Sequence, residues 1–273
     1  IGDSSFCGCT FLKEFVIPSF IDSINSHMFC KCTYLKELEL QSLITSIEDS
    51  AFDECINLSE IEIPSSVTSI QSFAFRKCSQ LTEITIPPSV TEIGSSAFSG
   101  CSNLVSIRIL AQIDTIEDST FYECKKLEII QIPDSVTSIG MFAFFKCSSL
   151  HQIEIPKSVT YIADSAFSGC SSLSTIVILG KIEIIEDSTF KNCSSLTEII
   201  IPESVGSIEK YAFSECKSLK EILIPSSVNS VKEFAFSKCN KLTQVTFDPL
   251  TTSINSTAFD KCNSLNSLSF NTK

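Results

Sequence analysis

Residues 58–78 read LSEIEIPSSVTSIQSFAFRKC, and residues 81–101 run through the same pattern again as LTEITIPPSVTEIGSSAFSGC. Working outward from this pair, cysteines stand at 9, 32, 55, 78, 101, 124, 147, 170, 193, 216, 239 and 262, each 23 positions after the last. A period kept without insertion or deletion specifies a solenoid, because each unit buries its apolar side only against the units above and below it. Residues 1–273 are therefore expected to form a single solenoid domain of about twelve turns, with nothing left over for a separate catalytic domain.

Alignment on the cysteines gives the anatomy of one turn. Leu follows every column Cys by three residues (Leu12, Leu35 and so on to Leu265), and Phe precedes it by three (Phe6, Phe29 and so on to Phe259). Phe, Cys and Leu at a spacing of three predict one face of a short helical or 3₁₀ turn. Ser or Asp six residues before the Cys, as at Asp49 and Asp187, is placed to cap free N–H groups there. After the Leu the period changes to two, as in Ile61 and Ile63 or Ile153 and Ile155, which predicts a strand. Pro usually ends it, since Pro cannot donate to a sheet ladder. A second apolar pair, such as Val67 and Ile70, predicts a minor strand. The proline column is broken at Gln41, Leu110, Leu179 and Asp248, every third turn, which suggests growth by duplication of a three-turn block.

The repeat Leu-x-x-Ile-x-Ile-Pro-x-Ser-Val-Thr-x-Ile-x-x-x-Ala-Phe-x-x-Cys resembles the BspA-like class of leucine-rich repeats, and the resemblance covers the entire chain. It implies a leucine-rich-repeat solenoid of β-rich α/β class: a parallel sheet on one face, short second strands and short helical turns elsewhere. It further implies a surface or secreted adhesion antigen that binds a protein partner, such as a host or extracellular-matrix protein. An intracellular scaffold or a structural spacer of the same fold is the alternative. The resemblance identifies no ligand.

One Cys per turn, in register, places each beside equal neighbours about 4.8 Å away. Pairing them would distort the stack, so they are expected as buried free thiols. Cys7 and Cys30 lie two residues before the column Cys of adjacent turns and should stack on each other. A disulfide, a zinc site shared with Cys9 and Cys32, and two free surface thiols are the readings left open.

Outward-facing strand residues supply the candidate binding sites. Glu14, Glu37, Glu39, Glu60, Glu62 and Glu83 form an acidic strip in which like charges stack on neighbouring strands, a cost that a basic partner or a cation relieves. Solvation, helped by Lys13 and Lys36, is the competing reading. Further along, Val177, Ile200 and Leu223 form an aliphatic run where the pattern predicts exposure, which suggests a contact patch unless strand propensity alone fills these positions.

The formal charge of −12 argues against nucleic acid and anionic membrane as partners. No apolar run is long enough for direct membrane insertion, and no basic-then-apolar leader opens the chain. Two histidines five turns apart, His27 and His151, assemble no triad, and the eight glycines form no phosphate loop. No catalytic, cofactor or metal site is therefore expected, and the chain is not read as an enzyme. Neither end carries a polar cap, which implies a piece of a longer chain or ends covered by neighbours or by end-to-end self-association. Asn57, Asn192 and Asn255 each open a match to the glycosylation acceptor pattern.

Overall fold

A computed structural model of the protein describes residues 1–248 and 253–270. The chain divides into two compact units, Ile1–Val136 and Thr137–Lys273. Each is a solenoid of 23-residue turns whose strands pair in parallel with the equivalent strands of the next turn.

In the first unit the main sheet joins Glu83–Ile86, Ser106–Ile109 and Ile129–Ile130. Its register carries Ile84 onto Ile107 and Ile107 onto Ile130, a shift of one period at each step. A minor sheet joins Ser23–Ile24, Ser46–Ile47, Ser69–Ile70 and Glu92–Ile93. Earlier along the main face Glu37 and Glu60 meet in an isolated parallel bridge rather than a longer ladder. Like charges set directly opposite each other, Glu37 on Glu60, oppose closer pairing at this place.

The second unit repeats the plan. Gln152–Ile155 pairs with Thr175–Ile178, and Glu221–Ile224 with Gln244–Phe247 and Ser267–Phe270. Minor strands pair from Ser138–Ile139 to Tyr161–Ile162, and from Ile184–Ile185 through Ser207–Ile208 and Ser230–Val231 to Ser253–Ile254.

The segment between minor strand and column Cys departs from the expected helical turn. No described residue there is helical. Instead, successive residues hydrogen-bond alternately within and between turns. Ala51, Asp53, Cys55 and Leu58 donate to the carbonyls three residues before them, whereas Ser50, Phe52 and Glu54 donate to Ser72, Ala74 and Arg76 of the next turn. Two residues per turn hold the left-handed conformation, Ser50 and Glu54 here (φ 55° and 60°), Phe73 and Lys77 in the next (58° and 59°). Left-handed residues interrupt any right-handed helix, and they suit the third position of a β-turn. The bonds to i−3 explain why the spacing of three survives although the helix does not. The capping position works between turns as well: the Asp187 carboxylate accepts from the Lys210 N–H at 2.9 Å.

Proline marks the corner as expected, and its carbonyl accepts from the N–H three residues on, for example Val67 to Pro64. At three of the four breaks in the column the replacement residue has an N–H and uses it. Leu110 donates to Ile86, Leu179 to Ile155 and Asp248 to Ile224, which lengthens the ladder by one bond every third turn. Gly180 follows one of these breaks because a Cβ there would lie 2.1 Å from the Val159 carbonyl.

Three stacked columns fill each interior. The Phe rings lie nearly parallel at centroid separations of 5.3–5.9 Å from Phe29 to Phe121 in the first unit and 5.1–5.7 Å from Phe144 to Phe259 in the second. The Leu column is buried beside them from Leu35 to Leu242, and the cysteines from Cys32 to Cys239 are fully buried, whereas Cys9, expected to be buried with them, is exposed because no turn covers it from above, and Cys262 is half-buried. These thiols do more than fill space. Cys55 Sγ donates to the Phe29 carbonyl at 3.0 Å and Cys101 Sγ to Phe75 at 3.1 Å, and the same bond recurs in both units, for instance from Cys216 to Phe190. Each of these carbonyls already accepts the Cys N–H of its own turn, so the thiol occupies its second lone pair. Burial pushes the Cys101, Cys170 and Cys216 thiols up to about 12, which keeps the donor protonated.

Candidate functional site

Along the strands the alternation of buried and exposed residues is complete where it matters: Glu83–Ile86 and Glu221–Ile224 both alternate exposed and buried. Inward Ile side chains anchor the backbone, so the outward residues of successive turns stand in straight columns. In the first unit these columns border a groove of about 1030 Å³. Its walls bring together Glu14, Glu37, Glu39, Glu60, Glu62 and Glu83, the whole acidic strip expected from the sequence. Arg108 lies at the far end, and Val16, Pro87, Pro88 and Leu110 add apolar edges.

No described residue forms an ion pair with any of the six glutamates. Lys13 and Lys36 are exposed and make no salt bridge to them. The lysines instead serve the opposite side of the turn, where Lys77 pairs with Glu54 at 2.7 Å and Lys238 with Glu215 at 2.9 Å, each across one period. The groove thus concentrates negative charge on a concave surface, where field lines converge and attract a cationic group more strongly than the same charges spread on a convex one.

Groove residues missed from the sequence are the apolar edges. Gln41 and Leu110, both at breaks in the proline column, line the groove, so the three-turn interruption was the available signal. In the second unit Val177, Ile200 and Leu223 occupy the same outward column and are 42 %, 86 % and 49 % exposed. Ile200 lies in a turn without an assigned main strand, between Thr175–Ile178 and Glu221–Ile224. Glu198 and Glu221 are exposed next to this run.

All fourteen cysteines are free thiols. The expectation that Cys30 faces the surface needs correction: Cys7 is exposed but Cys30 is only 5 % exposed, packed against the Asp53 carboxylate of the next turn. Among the described residues no group of three or more His, Cys, Asp or Glu is placed to hold a metal ion. No described helix is long and apolar enough to cross a membrane. Both histidines are exposed.

A family model described as BspA type leucine rich repeat region (6 copies) matches residues 1–128, 114–222 and 183–273. Among solved structures the chain is similar to a leucine-rich repeat protein from Bacteroides ovatus, at 28 % identity and a TM-score of 0.66, over 98 % of this chain and 81 % of that one. It is also similar to a leucine rich cell surface protein from Faecalibacterium prausnitzii, at 27 % identity and a TM-score of 0.56, over 100 % and 83 % of the two chains. The pneumococcal vaccine antigen PcpA shares the fold at 22 % identity and a TM-score of 0.56, over 88 % and 69 %. No curated protein matches the chain.

Proposed function

The chain belongs to the BspA-type leucine-rich repeat family, and from that premise we propose that it is a recognition module, not an enzyme, which acts at the cell surface or after secretion and binds a protein partner through its sheet face. The observation that carries the reading is the groove in which six unpaired glutamates converge. A basic segment of a host or matrix protein relieves the stacked like charges that this face bears when free. The cell-surface relative from Faecalibacterium prausnitzii supports the location.

Charge reversal tests the groove. Glu37→Lys, Glu60→Lys and Glu83→Lys combined are expected to weaken binding of a fluorescent oligolysine peptide, and of basic matrix proteins, by about tenfold or more at physiological salt. The wild-type affinity should also fall steeply as salt is raised. Equal affinity of the variant and wild type removes the groove from the binding account.

The exposed aliphatic run of the second unit supports a separate apolar anchor for the same class of partner. Leu223→Glu places a charge where a partner would have to desolvate it, so binding through this patch is expected to fall by about tenfold or more. Because Leu223 is half-exposed, the same substitution should leave stability within about 0.5 kcal/mol. Titration calorimetry with the matrix proteins, beside thermal melts, separates the two effects. Undiminished binding excludes the patch.

A further inference from the structure

Apart from the buried thiol column, two cysteines adjoin on successive turns. Cys7 and Cys30 hold the same place in the first and second turns, and their backbones are tied together: Gly8 N–H donates to the Cys30 carbonyl at 2.7 Å and Phe6 N–H to Met28 at 3.0 Å. The Phe6 and Phe29 rings stack beside them at 5.5 Å. Turns paired in this way sit about 4.8 Å apart, within the roughly 4.4–6.8 Å between Cα atoms that a disulfide spans. Cys7 is exposed, whereas Cys30 lies behind it.

The column continues into a charged pair in the third and fourth turns. Cys30 Sγ is 4.0 Å from Asp53 Oδ2. Asp53, 4 % exposed, is fixed by two bonds from Arg76, Nε to Oδ1 at 2.7 Å and Nη2 to Oδ2 at 2.6 Å. In the following turns the same position is Ser99 and then Tyr122. Of the neighbouring column cysteines, Cys32 is turned to the core, where its Sγ donates to the Phe6 carbonyl at 3.2 Å, whereas Cys9 is exposed and is the competing thiol that peptide mapping has to separate.

We propose that Cys7 and Cys30 form a reversible dithiol–disulfide couple, with Cys7 as the attacking thiol and Cys30 as the resolving one. With a low-molecular-weight disulfide such as oxidised glutathione, the Cys7 thiolate attacks one sulfur, breaks the S–S bond and releases one glutathione thiolate. Cys30 sulfur then attacks Cys7 sulfur and expels the second glutathione. Two protein thiols are oxidised, one small disulfide is reduced to two thiols, and both protein protons end on the released glutathione or on solvent. Burial and the adjoining Cys7 thiol hold the Cys30 thiol up at about 12, so its proton leaves only as the new bond forms. The Cys30 thiol lies against the Asp53 carboxylate, which two bonds from the Arg76 guanidinium hold in place.

The purified chain, equilibrated in glutathione redox mixtures, alkylated and mapped by peptide mass, tests this. Two of the fourteen thiols are expected to disappear into one cross-linked peptide joining Cys7 to Cys30, and dithiothreitol should restore them. Cys30→Ser should trap a stable glutathione adduct on Cys7. Cys7→Ser should leave Cys30 unmodified. A cross-link of Cys7 to Cys9 or of Cys9 to Cys32, or a persistent glutathione adduct on wild-type Cys7, overturns the proposal.

Discussion

Raised toward pH 10, the protein is expected to unfold in one steep step, far more abruptly than its exposed side chains would cause. The ten column thiols from Cys32 to Cys239 are all at 0 % exposure. At Cys32, Cys55, Cys78, Cys101, Cys124, Cys170, Cys193 and Cys216 burial drives the folded-state pKa upward, to about 12 at Cys101, Cys170 and Cys216, while an unfolded thiol titrates near about 8.5. A raised folded pKa means that the stabilisation is complete below the unfolded value and is lost as pH climbs from there toward the folded one. At about pH 10 each of these thiols has forfeited about 2 kcal/mol, and the eight together about 16 kcal/mol. A domain's entire stability is usually only about 5–15 kcal/mol. Circular dichroism followed with thiolate absorbance should show both signals changing together. Cys101→Ala should make the transition less steep, because one fewer proton is released. Thiolates that titrate near about pH 9 in a chain that stays folded would show that water reaches the column.

The second large effect concerns the aromatic column. Phe75→Ala is expected to cost about 3–5 kcal/mol, at the upper end for a core truncation. Phe75 is fully buried, and its ring stacks on Phe52 at 5.3 Å and on Phe98 at 5.4 Å, so one truncation strips a face from two further rings. In a stack held by nearest-neighbour contacts the damage should remain local. Hydrogen exchange should therefore accelerate at the amides around Phe52 and Phe98 and much less around Phe6 or Phe121. The double variant with Phe52→Ala should cost less than the sum of the two, because the rings share an interface. Urea unfolding measures these costs, and a loss below about 1 kcal/mol would mean that the column is looser than its stacking distances indicate.

How far the molecule was legible beforehand differs from part to part. The parallel register, the inward Ile and Leu columns and the proline corners follow from periodicity, since a strict 23-residue spacing leaves each side chain only its own equivalents to pack on. The turn segment was misread as helical because its bonds to i−3 keep a helical spacing, while its left-handed positions are filled by Ser50, Glu54, Phe73 and Lys77 rather than by glycine. The clue was present at Gly8, Gly100 and Gly169, one residue before the column Cys, where φ is 75–79°. Alternation revealed which glutamates face outward. It did not reveal the concavity, which arises from how turns stack, or the edges at Pro87, Pro88 and Leu110. The burial of Cys30 depends on Asp53, a residue one full period away whose own position is set by Arg76 from a further turn.

The alternating bonds of the turn segment leave no slack along the chain. A residue such as Glu54 donates across to Arg76 while Asp53 and Cys55 on either side close back on their own turn, so an extra residue anywhere in the segment would exchange the two sets and point Phe and Cys away from the interior. Removal of a complete period, residues 79–101 for example, restores every partner type. Length in this architecture is consequently quantised: genes encoding it can be lengthened or shortened by whole coils, and every intermediate size is mechanically forbidden.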